Sequence, residues 1–223
     1  MEEKGSTQRF GRALGVLFWV GVLGWASWWA YSRYQCGEWP WVPGNARGLV
    51  GISLLSRARW VAAPVLGATE KMLAPKRITV HHSGGKTIGD LDRQASGQLI
   101  KSIQEDHQKH RHWSDIGYHY IIDTGGRIWE GRSVALVGAH AGSTSGNQAN
   151  LGVLVLGNFD HQAPTAAELE SLERLLEALR RRYGIPRSQV YGHGEVRREG
   201  GLGPTNCPGK ELERWIERNF RQN

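Results

Sequence analysis

The longest apolar run comes first. Ala13 to Tyr31 reads ALGVLFWVGVLGWASWWAY, about 19 residues without a charge, and a helix of that length crosses most of a hydrocarbon core of roughly 30 Å. Lys4, Arg9 and Arg12 precede it while Arg33 follows closely, a bias toward an N-in orientation. Trp25, Trp28, Trp29 and Tyr31 crowd its far end, where rings settle at the outer interface. The pattern predicts one transmembrane helix over 13–31 behind a short cytoplasmic tail over 1–12. A cleaved signal peptide, with its apolar centre at Leu14 to Leu23 and small residues at Gly24 and Ala26, is the alternative. The bulky Trp residues that continue past that site favour the anchor. Either reading exports the rest of the chain, whereas a buried soluble helix would have to pack every one of those Trp residues inside a small domain.

Residues 32–50 combine Pro40, Pro43 and several Gly with Trp39 and Trp41, a composition that predicts a linker or a peripheral wrap. From Gly51 to Asn223 short apolar runs alternate with longer amphipathic ones, the pattern of an α/β domain built on one sheet. Strands rich in Val, Ile and Tyr are expected at Arg77 to His82, Gly117 to Asp123, Arg127 to Gly131, Asn150 to Leu156 and Gln189 to Tyr191. Gly125 and Gly126 fall between two of them and signal a hairpin. Helices are expected from Asp90 to His112 and from Thr165 to Tyr183, the second opened by a Thr165/Glu168 capping box and stopped at Gly184. A final helix after Pro208 sets Leu212, Trp215, Ile216 and Phe220 on one face for docking onto the sheet.

Composition bounds the chain without naming a partner. At 223 residues and 39% hydrophobic content it can build one ordinary domain plus an appendage. A formal charge of +7 attracts polyanions: nucleic acid, acidic phospholipids or anionic wall polymers. Lys and Arg are scattered, however, and the densest group, Arg180 to Arg182, sits where cations suit a helix C-terminus; no nucleic-acid partner is expected. Two cysteines, Cys36 and Cys207, could form a disulfide in an exported chain.

Cys207 has a competing use. His81 and His82 end one expected strand, His193 follows another, and Cys207 sits in PTNCPG. Two imidazoles and one thiolate suit zinc, and three protein ligands leave a fourth position open, as a catalytic site requires. His82 reads as a packing or hydrogen-bonding residue beneath such a site. His107, His110 and His112 read as a solvated helix end rather than a second metal site. By period two, Tyr118 and Tyr120 share a strand face and His119 points the other way.

The stretches SRARWVA, ITVHHSGG, HRHWSDIGYHYIID with GRIWEGR, VGAHAG, NLGVLVLGNFD and GHGEVRREGGLGPTNCPG resemble, in the same order, the motifs of the type 2 N-acetylmuramoyl-L-alanine amidases and peptidoglycan recognition proteins, a family that includes phage amidase-type lysozymes. The resemblance covers three quarters of the chain, from about Ser53 onward. It implies a single central mixed β-sheet flanked by helices. It also implies a zinc amidase domain over 51–223, with His81, His193 and Cys207 as ligands to Zn2+. Tyr118 matches the tyrosine whose hydroxyl faces the metal, Thr205 a position where relatives have Thr or Lys, and His140 a histidine at the edge of the substrate groove; Asn150, opening NLGVLVLG, is placed with His140 in substrate binding. Some relatives carry a Glu in the strand that here reads LGVLVLG, so no general base carries over.

The implied activity is zinc-dependent hydrolysis of the bond between N-acetylmuramic acid and L-alanine in peptidoglycan or muropeptides. The implied protein is a monomeric catalytic domain, membrane-anchored and extracytoplasmic, or secreted if the apolar segment is cleaved. Relatives that bind peptidoglycan without cutting it often lack the cysteine ligand, and this chain has it.

Overall fold

The computed structural model of the chain describes Asn45 and residues 49–222. The tail and anchor expected over 1–31 and Cys36 lie outside the described residues, among which no helix is long and apolar enough to cross a membrane.

The elements run β1 (Leu54–Leu55), a 3-10 turn (Arg57–Trp60), β2 (Arg77–His82), α1 (Arg93–Lys109), β3 (Tyr120–Ile122), β4 (Ile128–Glu130), α2 (Thr144–Asn147), β5 (Asn150–Val155), α3 (Ala166–Tyr183), β6 (Val190–Gly192), α4 (His193–Glu199) and α5 (Lys210–Ile216). The strands form one sheet in the order β1-β4-β3-β5-β2-β6. The hairpin β3/β4 is antiparallel and the other neighbours are parallel, so the sheet is mixed, as the resemblance implied. The Asp123 carboxylate organises the hairpin turn by accepting the amides of Gly125 and Arg127 at 3.1 and 3.0 Å.

Local chemistry sets the helices. The Asp92 side chain caps α1 by accepting the Ala95 amide at 2.7 Å. At α3 the expected capping box is present: Thr165 Oγ1 accepts the Glu168 amide and the Glu168 carboxylate accepts the Thr165 amide. Gly184 ends α3 at φ 67°, the left-handed conformation that glycine takes without penalty.

Each sheet face is covered. Ile78, Val80, Ile122, Val153 and Val155 meet Leu172, Leu175, Leu176 and Leu179 of α3 together with Leu212, Ile216 and Phe220 near the C-terminus. On the opposite face Ile121, Trp129 and Leu154 meet Ile100 of α1 and Trp60. His81 is in register with Leu154, and Leu154 with Ile121, so the end of β2 delivers His81 to the face that α1 covers.

Two expectations need correction. The domain does not begin at Gly51: Asn45 and Leu49 are buried, and Asn45 donates to the carbonyls of His119 and Arg132 at 2.8 Å each while its own carbonyl accepts the Tyr120 hydroxyl. Of the two readings of this Gly/Pro-rich stretch, linker and peripheral wrap, the buried Asn45 and Leu49 fit the wrap, and each of those bonds is made only after folding. The second correction concerns Tyr118. Consecutive amides of Gly131 and Arg132 donate to the consecutive carbonyls of His119 and Tyr118, which breaks the alternation of a regular antiparallel ladder. The strand therefore starts at Tyr120 rather than Gly117. Tyr120 joins the core beneath α3, whereas Tyr118 packs with the cluster on the α1 face.

Candidate metal centre

Four segments converge at one end of the sheet. His81 comes from the C-terminal end of β2, His193 is the first residue of α4, Cys207 lies in the loop before α5, and Tyr118 precedes β3. The donor atoms of His81, His193 and Cys207 all lie within 4.8 Å of one another, and this is the cluster among the described residues that could hold a metal ion. A single backbone bond ties two of the segments together, the Gly194 amide donating to the Cys207 carbonyl at 2.8 Å. The Glu195 carboxylate accepts the Gly192 amide at 2.9 Å and pairs with Arg221, fixing the turn that carries His193.

The donor set fits zinc on the chemistry of its atoms. His193 Nε2 is buried and has no hydrogen-bond partner, an arrangement that costs about 1–3 kcal/mol unless something else meets that nitrogen. Burial, then the charge of Arg197, pushes the His193 imidazole down to about 4. Burial and the neighbouring His193, His140 and His82 rings hold His81 well below the ordinary imidazole range. Both rings are therefore neutral at physiological pH, the form that ligates a metal. Cys207 is a free thiol that burial pushes up to about 12; it keeps its proton until a cation replaces it.

Around the three donors the remaining groups fall into place. The Tyr118 ring centroid is 5.1 Å from that of His81, and burial raises its phenol above the ordinary value. Thr205 Oγ1 accepts the Cys207 amide at 3.2 Å. His82 Nδ1 accepts the Phe159 amide at 3.2 Å, the hydrogen-bonding role its sequence position suggested. A cavity of about 480 Å³ opens beside the donors, lined by His140, His193 and Arg197 together with Glu70, Arg111 and Trp113. A second, of about 230 Å³, reaches Tyr118 between Ser83 and His107.

The two residues expected to bind substrate, His140 and Asn150, are both buried. Asn150 is fully buried; its side chain accepts the Thr79 hydroxyl at 2.9 Å and donates to the Gly146 carbonyl at 2.8 Å, so it locks β5 to β2 and offers nothing to a ligand in the groove. His140 borders the larger cavity, yet its ring is buried behind His81, with Nδ1 3.1 Å from His81 Nε2. His107 was expected at a solvated helix end and is instead buried, accepting the Gly117 amide at 3.0 Å and packing at a tilt against Trp113 and Tyr118. It lies on the inward face of α1, a position its helical spacing from Ile100 and Gln104 could have revealed.

The first arginine of SRARWVA supports the loop before Tyr118. Arg57 forms a two-pronged pair with Asp115 at 3.0 and 3.1 Å. Arg132, buried, donates to the carbonyls of Asp115, Ile116 and Val137.

Residues 71–210 match the family model described as N-acetylmuramoyl-L-alanine amidase. The chain belongs to this family. Among its relatives is peptidoglycan-recognition protein SD of Drosophila melanogaster, 32% identical over 169 residues that cover 74% of this chain and 85% of the relative. Human N-acetylmuramoyl-L-alanine amidase is 31% identical over 159 residues, covering 70% of this chain and 26% of that longer protein. A structure of Drosophila peptidoglycan recognition protein LB bound to tracheal cytotoxin superposes with a TM-score of 0.65 at 27% identity, covering 76% of this chain and 96% of the other. The relatives of this chain thus include both proteins named for recognition and proteins named for hydrolysis.

Proposed function

We propose that the chain is a zinc-dependent N-acetylmuramoyl-L-alanine amidase that cuts the sugar–peptide amide of peptidoglycan or its soluble muropeptides. The observation that carries this reading is the complete His81, His193 and Cys207 donor set around a buried, unpartnered His193 Nε2. A module that only binds the polymer has no use for that unpartnered nitrogen beside a thiol.

Zinc held by these three residues would supply Lewis acidity to the amide carbonyl and a nucleophile from water at neutral pH. The residues around it have separate tasks. Tyr118, kept protonated by its raised pKa, serves as a hydrogen-bond donor rather than a base. Thr205 Oγ1 takes the Cys207 amide on a lone pair, which leaves its own proton to donate. Both hydroxyls can thus stabilise negative charge developing on the carbonyl oxygen, and such a donor is worth roughly 10²–10³ in rate. β5 contributes apolar side chains and Gly152 at this level, and no carboxylate hydrogen-bonds the three donors among the described residues.

Residues 13–31 belong to the same proposal as an anchor that holds the domain on the outer side of a membrane, next to its polymer. Fractionation of cells expressing the full chain tests it: recovery with membranes supports the anchor, and release of a chain lacking these residues indicates a cleaved signal.

The activity test incubates the full-length, zinc-loaded chain with purified peptidoglycan and follows new alanine amino termini, with Cys207→Ala as control. Release that requires both zinc and Cys207 is expected. Zinc-loaded protein that binds the polymer and releases nothing overturns the hydrolytic reading in favour of recognition.

A further inference from the structure

We infer that His140 is a positioning residue that sets the tautomer and the aim of the metal ligand His81. The inference rests on the reading of His81 as a ligand, and it gives His140 a task besides bordering the cavity.

The argument starts at a backbone carbonyl. His140 Nε2 lies 3.2 Å from the Asn150 carbonyl oxygen, and a carbonyl can only accept, so the His140 proton sits on Nε2. In a neutral imidazole the lone pair is then on Nδ1. That atom is 3.1 Å from His81 Nε2, so His81 must donate, and its own proton is on Nε2. His81 is left with its lone pair on Nδ1, the nitrogen that faces Cys207 Sγ at 3.7 Å. Two hydrogen bonds in series therefore carry the polarity of one peptide carbonyl to the nitrogen that meets the metal. A histidine ligand is normally oriented in this way by a partner on its second nitrogen.

The ring of His140 is held so that it cannot turn away. A Cβ on Gly152, in the middle of β5, would stand 2.6 Å from His140 Cδ2, and one on Gly138 would stand at the same distance from that atom. Both glycines make room for the imidazole. Asn147 Oδ1 accepts the amides of His140 and Ala141 at 2.8 Å each, fixing the backbone beneath the ring. The Asn150 carbonyl is itself anchored, because Asn150 is locked to Thr79 and Gly146. Among the described residues no carboxylate hydrogen-bonds either ring, so nothing competes for the two protons.

The test uses the full chain with 15N-labelled histidine and reads the ring nitrogens of His81 in metal-free protein. The expected spectrum shows His81 protonated on Nε2 in the native chain and a mixture of tautomers in His140→Ala. Zinc affinity, measured by competition with a chelator, should fall about 10- to 100-fold in His140→Ala. It should recover in part in His140→Gln, whose side-chain oxygen can accept the His81 proton. Gly152→Ala, which keeps the imidazole but displaces it, should weaken zinc as His140→Ala does. A native spectrum with the His81 proton on Nδ1, or a folded His140→Ala chain with native zinc affinity, overturns the inference. A native chain that binds no zinc overturns the proposed function instead, while the metal-free spectrum still decides the role of His140.

Discussion

Cys207 Sγ lies 3.7 Å from His81 Nδ1 although 126 positions separate the two residues in the chain. Nothing but the tertiary fold brings them together, and the protonation states at this junction fix how a metal enters. The thiol, pushed up to about 12, carries a proton at pH 7; the His193 ring, pushed down to about 4, does not, and His81 is shifted the same way. Zinc uptake at pH 7 should therefore release about one proton, all of it from Cys207. Affinity should rise about tenfold per pH unit between pH 6 and 8. Calorimetry in buffers of different ionisation enthalpy measures the released proton, and Cys207→Ser should lose most of both the affinity and its pH dependence. Release of no proton would remove Cys207 from the ligand set.

Tyr118 stands beside the donors with its hydroxyl kept protonated by burial. Under the proposed mechanism Tyr118→Phe should bind zinc as the native chain does and lose roughly 10²–10³ in turnover. Zinc content and release of alanine amino termini, measured on the same preparation, separate the two effects. Native turnover in the zinc-loaded variant would leave Tyr118 as a packing residue.

Much of this site was legible in the sequence because its ligands sit at element ends that local pattern marks well. The β-branched run before His81 gives β2 its observed limits, Arg77–His82, and the Thr165/Glu168 box and Gly184 bracket α3. The short elements were not legible: two-residue β1, four-residue α2 and the helix that His193 opens are too brief for a period to show. Asn45 escaped because a single polar side chain reaching His119, Arg132 and Val134 leaves no local trace. His107 was misplaced for a related reason, since sequence gives a histidine's presence but not its exposure. One available signal went unused. Gly152, alone in the apolar strand NLGVLV, marked a point where something bulky approaches the sheet.

Arg132 binds three backbone carbonyls in the segments that carry Tyr118 and His140. Arg132→Lys keeps the charge but cannot span all three acceptors, since an ammonium lacks the planar fork of a guanidinium. Buried carbonyls left unmet cost about 1–3 kcal/mol each. The variant should lose about 2 kcal/mol or more in urea unfolding and should weaken zinc as the loops loosen. Native stability would mean that water replaces the lost donors.

Glu168 gives the fold a stability term that depends on pH. One carboxylate oxygen accepts the Thr165 amide at 2.7 Å, while the other, Oε1, is buried without a partner. Burial foremost, with Asp123 and Asp90 adding repulsion, raises this carboxyl from 4.5 to about 7. The folded chain thus holds the proton more tightly than the unfolded chain. Between about pH 4.5 and 7 the unfolded state ionises first, so this contribution is complete below that window, is lost as pH rises through it, and stays lost above. Glu168→Gln keeps a side chain suited to the capping box and removes the titration. Thermal unfolding at pH 5 and pH 8 should show the variant gaining a few degrees on the native chain at the higher pH. Parallel melting curves for the two proteins would mean that Glu168 ionises in the folded chain as it does in the unfolded one.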